Sequence, residues 1–401
     1  MQRLPFTPRK NWLEITQNRD GFIFPTPDNK PYWAESMDSP HYYQFTMKQI
    51  NVIDKAAEDV HQMCLHAVDW VVKNELFRLF DIHEKFWDAI KESWKNDKEK
   101  FLYGRFDFSY DGVNPPKMLE YNADTPTTLF EAGTVQWNWM EDMKNDGAIP
   151  ENSDQFNRIH EDLIERFQFL TSLESDENKG NPWVFSSCKH DNFEDESTVF
   201  YLMDLAQQAG LETSFVYVDE IGLGELDGTN YLTDLNDMTI HNWFKLYPYE
   251  WLMEDNFGDY IPEIQKHTNI VEPLWKSLLS NKAILPILYY LFPDSEYILP
   301  ADFEDEYYGD YKGTVIKPIL SREGDNIQIR TDESEECNTE GNYGDYKKIV
   351  QKFHALPNFD GNYPVIGVWM IGHKASGMSI READQLVTRD DSRFIPHIII
   401  D

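Results

Sequence analysis

The chain has 401 residues, with 71 Asp and Glu against 36 Lys and Arg, a formal net charge of −35 at pH 7. Its 25 Phe, 21 Tyr and 12 Trp can fill a large core, which excludes a disordered acidic tail. A nucleic-acid partner is excluded as well, because a phosphate backbone requires a basic face. The length predicts two or three lobes. Cys64, Cys188 and Cys337 are scattered without CxxC spacing, so neither a disulfide scaffold nor a zinc site is expected. The start, Met1 to Pro5, has no apolar leader, and no run reaches the roughly 18 apolar residues of a membrane helix. A soluble cytoplasmic protein in a reducing compartment is expected.

In chain order, the first 40 residues are rich in Pro, Asn and aromatics and read as irregular structure. Ile50, Ile53, Ala57, Val60, Cys64, Val68 and Val71 then recur at three or four residues, which predicts one long amphipathic helix. A second helix is expected over 84–96. At 101–110 the period falls to two, and 117–123 follows a Gly/Pro turn, which predicts a β-hairpin. A helix over 129–143 comes next, then another that Asp154 could cap. Apolar runs at 183–185, 214–218 and 243–246 alternate with a helical stretch at 197–209, the spacing of a small βαβ unit. A helical connector, 273–292, leads to strands at 313–319, 326–330, 348–353, 365–371 and 377–381. The acidic stretch 331–340 reads as a solvated loop.

Chemistry concentrates first in the hairpin. Arg105 and Asp107 are two apart, as are Glu120 and Asn122, with Asp124 next in the same alternation. Paired strands would gather a cation, two or three carboxylates and an amide on one face. Such an oxygen-rich group suits Mg²⁺ held jointly with substrate phosphates. The bland alternative is an exposed face of ordinary ion pairs. A second group runs from Tyr311 to Asn326, where a β-branched strand delivers Lys317 into a loop with Ser321, Arg322 and Gly324, able to cradle phosphates. Neither GxxxxGK[ST] nor a GxGxxG after a strand occurs. Lys282, at a helix start, is a weak signal alone. Arg381 closes the run from Gly377 and could simply pair with Glu382.

Taken together, Tyr121–Thr127, Ser280–Pro286, Val315–Gly324 and Ser392–His397 resemble the synthetase half of the glutathionylspermidine synthetase family and its stand-alone acid–amine ligase relatives, over nearly the whole chain. The resemblance implies an α+β, circularly permuted ATP-grasp fold, since the metal-type hairpin precedes the nucleotide lysines. It implies an N-terminal irregular and helical segment (1–100), a metal-binding hairpin and helix (101–150), a small pre-ATP-grasp α/β lobe (151–272) and nucleotide-binding lobes (273–401). It implies ATP and Mg²⁺, with Asp107, Glu120 and Asn122 as metal ligands and Arg105 on the transferred phosphate. Lys282 and Lys317 would contact ATP phosphates and Glu323 and Gly324 would form a lid. Gln351, on the adenine hinge, and Leu386 and Val387 would complete the nucleotide site. Glu194 and Asp195 fall near the amine, Thr125 and Arg381 near the acid, and Asp391 near the polyamine region. The fused amidase half of the two-headed relatives is not in these residues. Thr125 and Thr127 replace serines, and Glu323 replaces a cysteine. The expected activity is ATP-dependent amide formation through an acyl phosphate, joining a peptide-like acid and a di- or polyamine. A catalytically silent nucleotide-binding protein would have lost this cluster; a kinase that stops at phosphorylation is separated only by product analysis.

Overall fold

The computed structural model describes residues 1–23, 31–186, 190, 192–331, 334–389 and 392–401. The long helix spans Met47–Lys73 and begins with a capping box, in which Thr46 and Gln49 satisfy each other's backbone N–H groups. Its predicted apolar stripe is buried, from Ile50 to Val71. Each Val or Ile of the stripe contributes about 1.5–3 kcal/mol on leaving water. This helix packs against the apolar helix Ile284–Leu291 and against a five-stranded antiparallel sheet.

That sheet holds the residues singled out in the hairpin. Strands β1 (Tyr103–Ser109) and β2 (Lys117–Asn122) form the predicted hairpin. A second five-stranded sheet includes β3 (Thr314–Pro318) and β4 (Lys348–Lys352), which pair antiparallel. Strands β5 (Tyr363–Ile371) and β6 (Lys374–Ala383) return to the first sheet, whose order is Arg393–Phe394, β6, β5, β1, β2. The hairpin at 103–122 is thus joined edge to edge with strands 240 or more residues later. On one face of the hairpin, Phe106 stacks on Tyr121 with ring centroids 3.8 Å apart, in the core that also holds Ile53 and Val60. Alternation turns Arg105, Asp107, Glu120 and Asn122 the other way.

The expected βαβ unit is present. Trp183–Ser186 and Thr213–Phe215 are parallel neighbours joined through the helix Phe193–Gln208, and Asn242–Lys245 and Asn269–Val271 extend that sheet. Several expectations need correction. Gln2–Pro5 is not irregular: it pairs with His41–Phe45, which in turn pairs with the C-terminal strand His397–Ile399. The acidic stretch is not a loop throughout, because Ser334–Asn338 pairs with Gln328–Thr331 as an edge strand. A charge run lacks an apolar face, but an edge strand tolerates charge and is protected by it. Asp154 does not cap the helix Ile159–Ser172, which Arg158 precedes; its carboxylate accepts from the Gln155 N–H, and its backbone bridges to Ile399. The helix expected over 129–143 opens with a π-helical turn, Glu131–Val135. The short hairpin Gly222–Leu226 with Thr229–Thr233 was not foreseen.

Candidate active site

A cavity of about 1130 Å³ opens where the two five-stranded sheets meet. Arg105 stands opposite Asn122, and Asp107 opposite Glu120, in the β1–β2 register. Beyond that pair the register shifts, so that Phe108 faces Met118 and Leu119 is the extra residue of a bulge. A bulged residue leaves the ladder and re-aims its neighbours. Here the Leu119 carbonyl accepts from Lys317 Nζ at 3.0 Å, which ties β3 of the second sheet to β2 of the first. Lys282 Nζ lies 3.4 Å from Glu120 and donates to the Ser321 carbonyl at 2.9 Å.

The charges are interdependent. Arg105 donates to Asp107 at 2.9 Å, to the Thr127 carbonyl at 2.7 Å and to the Thr128 hydroxyl at 3.4 Å, with its guanidinium 5.6 Å over the Trp369 ring. Arg381 reaches the other Asp107 oxygen at 2.6 Å. It does not pair with Glu382, which points away and is held by Arg3 at 2.8 and 2.9 Å, by Tyr43 and by Arg393. Burial alone would raise the Glu120 carboxyl, but Lys282, Lys317, Arg381 and Arg105 outweigh it and bring it down to about 2. Burial pushes Lys317 down to about 8, aided by Lys282 and opposed by Glu120 and Asp107.

Gly367, in the strand between Asp107 and Ser379, keeps this crowding possible. A Cβ there would lie 2.6 Å from Ser379 Oγ and 3.0 Å from Arg105 Cδ. Gly367→Ala should therefore cost about 1–3 kcal/mol of stability through overpacking. Urea unfolding checks this: an unchanged midpoint refutes the crowding, whereas partial recovery in Gly367→Ala/Ser379→Gly supports it.

The remaining expected residues also line the cavity. Thr125 accepts from Arg322 at 3.1 Å, and Arg322 pairs with Glu250 at 2.8 Å and lies 5.1 Å over Trp251. Glu323 and Gly324 follow with φ of +52° and +73°; a Cβ on Gly324 would meet Val387 Cγ1 at 2.6 Å, so the 323–324 loop packs directly on the 386–388 segment. Gln351, on β4, is buried opposite Val315, and Leu386 lines the cavity beside Val387. Glu194 and Asp195 occupy the first turn of the helix Phe193–Gln208, started by Asn192, which accepts from the Asp195 N–H at 3.3 Å. The Glu194 charge acts on Arg105 and Arg381.

Asp124 is the exception to the alternation. Its strand has ended, and its carboxylate is buried on Lys245 at 2.7 Å and on the Tyr249 N–H at 2.9 Å, outside the cavity wall. Asp391 lies outside the described residues. Sequence reasoning missed Glu250 and Trp251, which reach Arg322 from a distant segment, and the bond from Tyr32, on the cavity wall, to buried Glu131. A lone Glu inside the run Leu129-Phe130-Glu131-Ala132 was the available signal.

Among the described residues the wall holds seven Lys and Arg and six Asp and Glu, in a chain with 36 against 71. Bases are concentrated here. As a metal site the donor set is lean: no group of three or more His, Cys, Asp or Glu gathers among the described residues. Two cross-strand carboxylates and an amide nevertheless match Mg²⁺, which takes one or two protein carboxylates and fills its shell with phosphates and water.

Residues 3–400 match the family described as glutathionylspermidine synthase preATP-grasp. A Haemophilus influenzae protein named as a proposed acid–amine ligase is 38% identical over 388 residues, covering 95% of this chain and 94% of that protein. The trypanothione synthetase of Crithidia fasciculata is 32% identical over 84% of this chain, and the bifunctional glutathionylspermidine synthetase/amidase of Escherichia coli 28% over 91%. The chain spans only 53% and 60% of those two proteins. In fold it is similar to a glutathione-synthetase-like effector from Globodera pallida, solved in apo form, with a TM-score of 0.56 at 11% identity over 90% of this chain and 89% of that one. Among the described residues no helix is long and apolar enough to cross a membrane.

Proposed function

The chain belongs to the glutathionylspermidine synthase preATP-grasp family, whose named relatives are C–N bond-forming ligases, and on that premise we propose that it joins a peptide-like acid to a di- or polyamine at the expense of ATP. The observation that carries this reading is the excess of cations where the sheets meet. Arg105, Arg381, Lys282 and Lys317 crowd around Asp107 and Glu120, with Glu194 acting on the two arginines. Such an excess is costly in a buried site unless an anion completes it, and a nucleotide triphosphate is an anion of that kind.

In this reading residues 101–150 and 273–401 form a circularly permuted ATP-grasp core, and 151–272 a smaller lobe bearing Glu194 and Asp195. The direct β1–β5 pairing supports grouping the hairpin with the C-terminal strands. Lys282 and Lys317 hold the phosphates, while Glu323 and Gly324 close over them and the wall of Gln351, Leu386 and Val387 receives the base. Arg105, fixed from two sides, neutralises the phosphoryl group in transfer to the acid's carboxylate. Arg381 and Thr125 orient that acid. Asp107, Glu120 and Asn122 would hold Mg²⁺, which when bound supplies charge neutralisation on the phosphates. The amine then attacks the acyl phosphate from the side of Glu194 and Asp195, steered by the net charge of −35 within a Debye length of about 8 Å.

An ADP-release screen of small peptides against di- and polyamines tests this. The expected result is ADP formed only with both partners present, and a product whose mass is their sum less water. ADP release without any need for amine would instead make the protein a kinase, and release with no pair at all would refute the reading.

A further inference from the structure

A di- or polyamine enters as an ammonium ion, since an alkylamine titrates near the lysine value of about 10.4. Its nitrogen has no lone pair until a proton leaves. Glu194 and Asp195, in the cavity wall, can attract such a cation, but attraction alone does not remove its proton. The wall offers another route. Tyr32 lines the cavity, and its hydroxyl donates to Glu131, which is 3% exposed and lies behind it. The Tyr32 ring is steadied edge-on by Phe22, with centroids 5.9 Å apart, and Phe22 rests in turn against Phe130 at 6.0 Å. Glu131 sits in the π-helical turn, a local irregularity frequent at functional sites.

We propose that Tyr32 and Glu131 form the path by which the ammonium gives up its proton before attack. This rests on the ligase reading and extends it to the proton balance. The nitrogen passes a proton to the Tyr32 oxygen as the Tyr32 hydroxyl proton moves to the Glu131 carboxylate. The freed lone pair forms the C–N bond at the acyl phosphate carbon, and the C–O bond to phosphate breaks. The second proton lost by nitrogen leaves on the departing phosphate, and Glu131 returns its own to water between turnovers. Tyr32 is the group that touches the amine; Glu131 acts through it.

The electrostatics around Glu131 suit a base. Burial pushes its carboxyl up to about 7; the Tyr32 bond opposes, Glu194 adds, and a backbone N–H of its own turn and Arg105 oppose. A base poised near the working pH is half available and still able to hold the proton. Because the carboxylate is the active form, kcat/KM for the amine should rise with pH and level off near 7.

The test uses the acid and amine that score in the ADP screen, with hydroxylamine as a second nucleophile that is already uncharged at neutral pH. In Tyr32→Phe and Glu131→Gln the ratio of hydroxamate to amide formation should rise by about 100-fold, the usual worth of a positioned base. The break near pH 7 should vanish from the amine profile, leaving a climb to the amine's own pKa. Equal loss with both nucleophiles, or a Tyr32→Phe profile that matches the parent's, overturns the path. No hydroxamate from the unaltered protein overturns the ligase reading, and this inference with it.

Discussion

Asp107→Ala should cost the protein roughly 3–5 kcal/mol of folding stability, the range for removing one partner from a buried charge pair. Both Asp107 oxygens are in use, one by Arg105 at 2.9 Å and one by Arg381 at 2.6 Å. The side chains of Asp107 and Arg105 are 4% and 5% exposed, so the loss leaves a largely buried charge without this partner. Without Asp107, two guanidiniums face each other, and Glu120, with Glu194 farther off, must offset four cations. Lys317→Met should cost less than Asp107→Ala: it takes the Lys317 donor from the Leu119 carbonyl and one partner from Glu120, but it also removes a charge from a cationic excess. Urea unfolding of the ligand-free protein measures both. If Asp107→Ala were no less stable than the parent, or Lys317→Met less stable than Asp107→Ala, the cluster would be an ordinary ion-pair network rather than one built to receive an anion.

How far the sequence foretold this depends on the distance over which each feature is decided. The hairpin was legible because period two is local, and it put Arg105, Asp107, Glu120 and Asn122 on one face without further information. The same rule failed two residues on, at Asp124, because periodicity does not mark where a strand ends; beyond Asn122 the chain turns and Lys245, 121 residues away, captures the carboxylate. The bulge at Leu119 was invisible as well, since it exists only relative to a partner strand. So was the Arg381–Asp107 bond, which spans 274 residues, whereas Glu382 was the neighbour in sequence that alternation sends to the opposite face. The roles given to Lys282, Gln351, Leu386, Val387 and the Glu194–Asp195 pair came from resemblance rather than from spacing, and their presence on one cavity wall is information that no local pattern carried. Tyr32 and Glu131 fell outside both, because one sits in a Pro-rich segment and the other in a helix that reads as core.

Arg105→Lys should lower kcat by about 10²–10³, the effect of removing one preorganised donor aimed at developing charge, while leaving ATP affinity within about threefold. Geometry is the reason. Asp107 fixes Arg105 from one side and Thr127 and Thr128 from another, Trp369 lies under the guanidinium, and Gly367 leaves room for the stem. An arginine so held spends little entropy in meeting an anion, and its planar fork can serve Asp107 and a phosphoryl oxygen together. A lysine would keep the charge but lose that division, because a compact ammonium cannot reach Thr127, Asp107 and the cavity in one geometry. With the phosphates assigned to Lys282 and Lys317 in the proposed function, ground-state ATP binding should survive, so the loss belongs in kcat rather than in nucleotide affinity. Steady-state ADP release with the active substrate pair, beside a fluorescence titration of ATP, separates the two. A variant that keeps kcat within about threefold of the parent, or that loses ATP binding in proportion to rate, would place Arg105 among the residues that only hold the nucleotide.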